Sequence, residues 1–349
     1  MSWNYNFVSR LPEGFTEEDM LFIRQLGIEY TYVSLPRDKH NLKDLKELQT
    51  ILGDNGLKMR NMQSNLYTFN SDIALGTDRR DDAIKGYIEF IEMLSEVGVK
   101  NIDQTMLPFF IYSSNTTSTN RFCTVRNTDI NAILNSKEPP LGKPAWVNPD
   151  HEDQERIIIE QCKEAAKRGY SKDELWDNFA YFMDKVMPVF EKCNMRMELH
   201  PNDPPCYQPI MGVDQLITSF DDYLKAFEIA KSDALAMSFC CGCWLEGGSR
   251  FGNLIENLEW ALANNKVEMI HFRNVSGTLP NFDETFLDNG YYDMYNIMRT
   301  LRKYNYQGLI NPDHVPIMVD GGKRRAPLAY SFGFMRAQAM HADAEFSGK

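Results

Sequence analysis

Short runs rich in β-branched and aromatic residues alternate along this chain with longer segments whose apolar residues recur at three- and four-residue spacing. The short runs end near Val8, Val33, Met62, Asp103, His200, Cys240, Phe272 and Asp313, which makes eight candidate strands. Between most of them lies an amphipathic stretch. Residues 82–96 are the clearest: Ile84, Tyr87, Ile88, Ile91 and Leu94 fall on one helical face, and Gly98 follows as a helix stop. Residues 221–231 and 293–303 repeat the scheme, each before a new strand. Such alternation predicts a parallel sheet with helical crossovers, and eight units favour closure into a (β/α)8 barrel, an α/β fold. An open doubly wound sheet usually carries a Gly-rich turn after its first strand, and none is present.

The rhythm breaks over residues 107–171, where no clear strand is expected. This segment holds a Ser/Thr/Asn-rich stretch at 112–119, then Pro139, Pro140 and Pro144. Long irregular stretches are usually functional loops. Because it follows the fourth strand, it is expected as an insertion or lid above the catalytic face of one barrel spanning residues 1–349. A solvated surface insertion is the plainer alternative. There is no internal repeat beyond the βα period and no domain linker.

Bulk properties narrow the function. The chain has 349 residues, 43 % hydrophobic and 25 % charged, in the range of a folded globular domain. Its formal net charge of −12 and lack of a basic run exclude a nucleic-acid binder. An anionic substrate therefore needs a local cation or metal. No apolar run approaches the ~20 residues of a membrane helix. The start, Met1-Ser2-Trp3-Asn4-Tyr5-Asn6, has neither the basic nor the apolar part of a signal peptide. Seven cysteines, three of them in Cys240-Cys241-Gly242-Cys243, suggest reduced thiols. A cytoplasmic protein acting on a small molecule is expected, with no nucleic-acid or membrane partner and room for a homo-oligomer.

The chemistry sits at strand ends. Of six histidines, His200, His271 and His314 lie where strands should stop, and Cys240 ends the strand between the first two. His200, Cys240, His271 and Asp313 would come from strands five to eight of a barrel, about 4.8 Å apart, and could converge on one divalent ion. Imidazole, thiolate and carboxylate together suit a borderline or mid-row metal. A lone strand-end histidine is more often a hydrogen-bonded core residue; three at successive ends with an Asp-His pair favour the metal. Cys240 and Cys243 also form a C-x-x-C, but a zinc ribbon needs a second pair, and Cys241 and Cys243 also fit as small buried hydrophobes. Arg273 shares the inward side with His271 by period-two alternation. It is expected to clamp a substrate carboxylate, with Asn274 beside it; an ion pair at the barrel rim is its alternative. Glu198, two before His200, points inward as a metal-supporting or acid/base group.

At these residues the chain resembles the mannonate dehydratase family, within the xylose-isomerase-like barrels. The matching stretches are His200-Pro201-Asn202-Asp203-Pro204-Pro205, Phe239-Cys240-Cys241-Gly242, His271-Phe272-Arg273-Asn274-Val275, Gly290 with Asp293-Met294, and Pro312-Asp313-His314, with Ser171-Lys172-Asp173-Glu174-Leu175-Trp176-Asp177-Asn178 upstream. The resemblance implies Mn2+ or Fe2+ on His200, Cys240, His271 and Asp313, and loss of water from a sugar acid to give a 2-keto-3-deoxy sugar acid. It also implies proton handling by His314 and a tyrosine, for which Tyr330 is the nearest candidate. Some positions depart from the family. Trp3-Asn4-Tyr5-Asn6-Phe7 lacks the first-strand arginine, Ile111-Tyr112-Ser113-Ser114 lacks a Trp-x-Arg, and Leu287 stands where a histidine is expected.

The leading expectation is a metal-dependent dehydratase of mannonate or a related aldonate or uronate. A metal stabilises the charge that develops when a proton is taken next to a carboxylate. His314 then protonates the departing hydroxyl, provided the chain has already turned out of the strand. An isomerase or epimerase using Glu198 in a carboxylate pair, and a non-catalytic sugar-acid binder, are the alternatives.

Overall fold

The strands of the computed structural model are β1 (Asn6–Leu11), β2 (Tyr30–Leu35), β3 (Lys58–Met59), β4 (Asn61–Ser64), β5 (Asn101–Thr105), β6 (Asn115–Ser118), β7 (Thr124–Asp129), β8 (Arg196–His200), β9 (Leu235–Cys240), β10 (Val267–His271), β11 (Asn281–Asp283) and β12 (Leu309–Asn311). The helices are α1 (Glu17–Gln25), α2 (Leu42–Asp54), α3 (Ser71–Leu75), α4 (Arg80–Glu96), α5 (Ile130–Leu134), α6 (Glu152–Arg168), α7 (Lys172–Cys193), α8 (Phe220–Ala230), α9 (Cys241–Gly247), α10 (Leu254–Ala263), α11 (Tyr295–Lys303) and α12 (Arg325–Ser347). The structure describes residues 3–35, 37–64, 66–109, 112–118, 121–136, 152–320 and 324–348.

Strands β1, β2, β4, β5, β8, β9, β10 and β12 pair in parallel in that order, and β12 returns to β1. The result is the closed eight-stranded barrel expected from the alternation, with β3 a short lead-in to β4. Helix α4 buries Ile84, Tyr87, Phe90, Ile91 and Leu94 against the barrel, and Gly98 takes the left-handed backbone (φ +80°) that ends it. Helix α7 is fastened by a reciprocal capping box between Ser171 and Glu174. Strand ends fall within three residues of the expected positions. The first strand runs on to Leu11 and carries Arg10 at its tip.

The segment after β5 corrects an expectation. Residues 107–171 were expected to lack strands, yet β6 and β7 form a hairpin, and β7 pairs antiparallel with β11 from the loop after β10. The reason is physical: Asn-Thr-Thr-Ser and Thr-Val-Arg-Asn-Thr-Asp have almost no apolar residues to alternate, and the sheet reaches the main core through Phe282 of β11. Its strands are held by backbone pairing, and a satellite cluster of Leu107, Tyr112, Ile130, Ile133, Cys206 and Ile210 packs the flanking segments. Pro139, Pro140 and Pro144 lie outside the described residues.

Candidate metal centre

The four expected ligands stand at the C-terminal ends of β8, β9, β10 and just past β12. Ladder register sets Cys240 directly opposite His271, and His271 opposite Asn311. Asp313 follows two residues on, in a left-handed conformation (φ +57°) that turns the chain over the barrel mouth. Donor atoms of Cys240, His271 and Asp313 lie within 4.8 Å of one another, and so do those of His200, Cys240 and Cys243. The His200 and His271 rings are 5.1 Å apart.

Hydrogen bonds around the ligands fit a bound cation. His200 Nδ1 donates to the Pro201 carbonyl at 2.8 Å, which leaves Nε2 as its donor atom toward the cluster. His271 Nδ1 is buried with no hydrogen-bond partner among the described residues, and sits 3.8 Å from Asp313 Oδ2. A buried ring nitrogen left orphaned is costly unless something electropositive meets it. Burial alone would depress the His200 imidazole, but the Cys240 thiolate overrides it and pushes it up to about 10. Burial likewise opposes ionisation of Cys240, yet Cys243, Arg273, His200 and His271 hold its thiol well below the ordinary range. A site that draws protons onto two imidazoles around a thiolate attracts a cation, and its N, S and O donors suit a mid-row divalent metal.

Arg273 departs from its expected role. Its guanidinium is fully buried and all its donors are engaged: Nε with Asp313 at 3.0 Å, Nη1 with Glu246 at 2.5 Å and Glu284 at 3.1 Å, and Nη2 with Asp203 at 3.1 Å and the Cys240 and Cys243 sulfurs at 3.5 and 3.9 Å. With its donors so engaged, Arg273 fits the ion-pair alternative, holding Asp313 and facing the Cys240 sulfur. Asn274 is also taken: its amide donates to the Leu287 and Tyr292 carbonyls and accepts from Val275. It pins the 285–292 loop rather than reaching a substrate.

Glu198 lies one layer below His200, where Asn61 and Asn101 donate to its two oxygens. Burial, then Asp103 and Glu268, push it well above the carboxylate range, and its contacts are with the barrel wall rather than the donor groups. Tyr330 on α12 is half-exposed and donates to Asp288, which also pairs with Arg121. Its hydrogen bonds are to those two residues and not to the ligand cluster.

His314 does reach the site, because the chain has left β12 by then. Its Nε2 lies 3.6 Å from Asp313 Oδ1, and its Nδ1 lies 2.7 Å from Glu284 Oε1. Burial alone would raise Glu284, but Arg126, His314 and Arg273 hold its carboxyl well below the usual range. Arg126, from the β6–β7 hairpin, pairs with both Asp203 and Glu284.

Several site residues escaped the sequence reading. Across the barrel from the ligands, Arg10 donates to Ser34 at 2.7 Å, Ser34 to Gln63 at 2.9 Å, and Gln63 to Asp103 at 3.2 Å. Asp103 keeps one buried oxygen without a partner among the described residues. The signal for Arg10 was its place one residue before the end of β1. Arg126 is the arginine that the 107–171 segment sends to the site, carried there by a strand with little apolar patterning.

Comparison with known proteins identifies the family and the barrel. The model of the D-mannonate dehydratase (UxuA) family matches residues 19–341. A mannonate dehydratase of Geobacillus thermodenitrificans (strain NG80-2) is 26 % identical over 290 residues, covering 78 % of this chain and 75 % of that protein. The crystal structure of mannonate dehydratase from Streptococcus suis serotype 2 superposes with a TM-score of 0.81 at 22 % identity, covering 99 % of this chain and 97 % of that one. A xylose isomerase domain protein from Planctomyces limnophilus shares the barrel at a TM-score of 0.60 and 12 % identity, over the full length of both chains. With the family model matching most of its length, this chain belongs to the D-mannonate dehydratase family of hydro-lyases.

Proposed function

We propose that the enzyme removes water from D-mannonate or a related aldonate or uronate to give a 2-keto-3-deoxy sugar acid, with Mn2+ or Fe2+ held by His200, Cys240, His271 and Asp313. The observation that carries this reading is the Cys240–His271–Asp313 donor group, which shares Cys240 with a second group that contains His200, beside a buried His271 Nδ1 that has no hydrogen-bond partner among the described residues. When bound, the ion supplies electrostatic stabilisation for charge developing beside the substrate carboxylate. The protein's own groups supply the rest. Glu284, kept ionised by Arg126 and Arg273, orients His314 through Nδ1 and leaves Nε2 on the Asp313 side. His314 is thereby placed to pass a proton to the departing hydroxyl. Arg10, at the tip of β1, replaces Arg273 as the cation for the substrate carboxylate. In this reading the β6–β7–β11 sheet covers the reacting face, which is supported by Arg126 of β7 reaching Asp203 and Glu284.

An isomerase reading leaned on Glu198 as half of a carboxylate pair; with Asn61 and Asn101 on its oxygens it supports the wall instead. The deciding experiment incubates Mn2+- or Fe2+-reconstituted protein with a panel of aldonates and uronates and weighs the products. Loss of one water with formation of a 2-keto-3-deoxy acid is expected. Products of unchanged mass would establish isomerisation, and no turnover across the panel would remove the sugar-acid assignment.

A further inference from the structure

We propose that Cys243 is a second sulfur ligand of the ion held by His200, Cys240, His271 and Asp313, and that it tunes the site toward thiophilic divalent ions such as Fe2+, Co2+ and Zn2+ at the expense of Mn2+. This rests on the metal reading above and adds a donor to it.

The geometry comes from one local feature. Strand β9 runs without a loop into α9, so Cys240 is both the last strand residue and the N-cap of the helix. Cys243 sits one turn later, and a three-residue step returns to the same helix face. Both sulfurs therefore emerge on the side of the His200 ring, and the His200, Cys240 and Cys243 donor atoms lie within 4.8 Å of one another. Cys-x-x-Cys is the half-site from which thiolate metal centres are built, with metal–sulfur bonds of about 2.3 Å. Two donors at about 2.0–2.3 Å from one ion stand at most roughly 4.6 Å apart, so this trio is close to ligand spacing, and it meets the Cys240–His271–Asp313 group at Cys240. Cys241, also fully buried, belongs to no such group among the described residues.

Charge supports the assignment. The buried Arg273 guanidinium touches both sulfurs, at 3.5 and 3.9 Å. Arg273 already serves the Asp203, Glu246, Glu284 and Asp313 carboxylates, so the charge that would offset a second thiolate is that of the divalent ion itself. Cys243 also neighbours Asp203 and Glu246 in a third donor group, but Arg273 donates to both of those carboxylates and occupies that space as the cation. The direction left for an added ion is toward His200 and Cys240. Soft thiolate donors favour later, more thiophilic ions, whereas Mn2+ prefers oxygen.

The test uses the full-length protein loaded with Co2+. X-ray absorption at the cobalt edge counts sulfur neighbours without any mutation: two are expected, and one overturns the proposal. The sulfur-to-cobalt charge-transfer band gives a second readout. Cys243→Ser should lose about half its intensity and weaken Co2+ and Zn2+ relative to Mn2+ about tenfold or more, while Cys241→Ser keeps the full band. A folded Cys243→Ser protein with an undiminished band also overturns it. If Cys243→Ser does not fold, the edge measurement on the unmodified protein decides alone. A protein that binds none of these ions fails the metal reading itself; one that binds an ion through a single sulfur fails only this inference.

Discussion

Arg273→Lys separates two readings of the same arginine. A substrate clamp would show its loss in substrate binding. A buried scaffold would show it in stability and metal affinity. Lysine keeps the charge but has a single nitrogen, which cannot span Asp203, Glu246, Glu284 and Asp313 together. Asp203 and Glu284 retain Arg126. Glu246 and Asp313 are the exposed losses, since Glu246 is fully buried and its second oxygen already lacks a partner among the described residues. Breaking a buried pair costs about 3–5 kcal/mol.

With an unfolding entropy of about 2.1 cal/mol/K per residue, a chain of 349 residues has roughly 0.7 kcal/mol/K in total. The loss therefore lowers Tm by about 4–7 °C in calorimetry of the metal-free protein. Freed from the Nε contact, Asp313 holds the ion less well, and a supporting contact of this kind is worth about 10–100-fold in metal affinity by titration calorimetry. A mutant with unchanged Tm and metal affinity but a raised KM for sugar acids would refute the scaffold and restore the clamp.

Other substitutions probe the surrounding parts. Gly242→Ala sets a Cβ 2.4 Å from Arg273 Cζ, so it should cost about 1–3 kcal/mol and lower metal occupancy in elemental analysis, whereas Gly53→Ala meets nothing within 4 Å and should be tolerated. Glu198→Gln tests the raised Glu198 carboxyl. Burial raises the folded Glu198 pKa above its ordinary 4.5, so wild-type stability from this group is full below that pH and declines as pH rises; denaturant melts should show the variant gaining on wild type from pH 4.5 to 8 with turnover retained, and an inactive variant would return Glu198 to the chemistry. Arg10→Met should raise KM for sugar acids with metal content unchanged; an unaltered KM would remove Arg10 from the substrate.

What was legible in this chain follows from how each residue obtains its position. His200, Cys240 and His271 sit at the ends of regular, fully buried strands, where alternation and spacing transmit directly to direction. Asp313 and His314 were nearly as readable, because leaving β12 re-aims both toward the mouth. The hairpin was not readable: its strands are polar, and what defines them is pairing with a β11 that lies more than a hundred residues on. Arg273 shows a different limit. Its inward direction was correct, but its role depends on how many of its donors are already engaged, and the partners come from four separate loops and elements: Asp203 after β8, Glu246 in α9, Glu284 after β11 and Asp313 after β12. Direction is a local property of the chain, whereas saturation of a buried cation is a property of the folded whole. Asn274 repeats the lesson on a smaller scale, since only the 285–292 loop folding over it reveals that its amide is engaged. The same reasoning explains why Cys243 read as a small apolar residue. Nothing along the sequence states that its sulfur shares a donor group with His200, forty-three positions away.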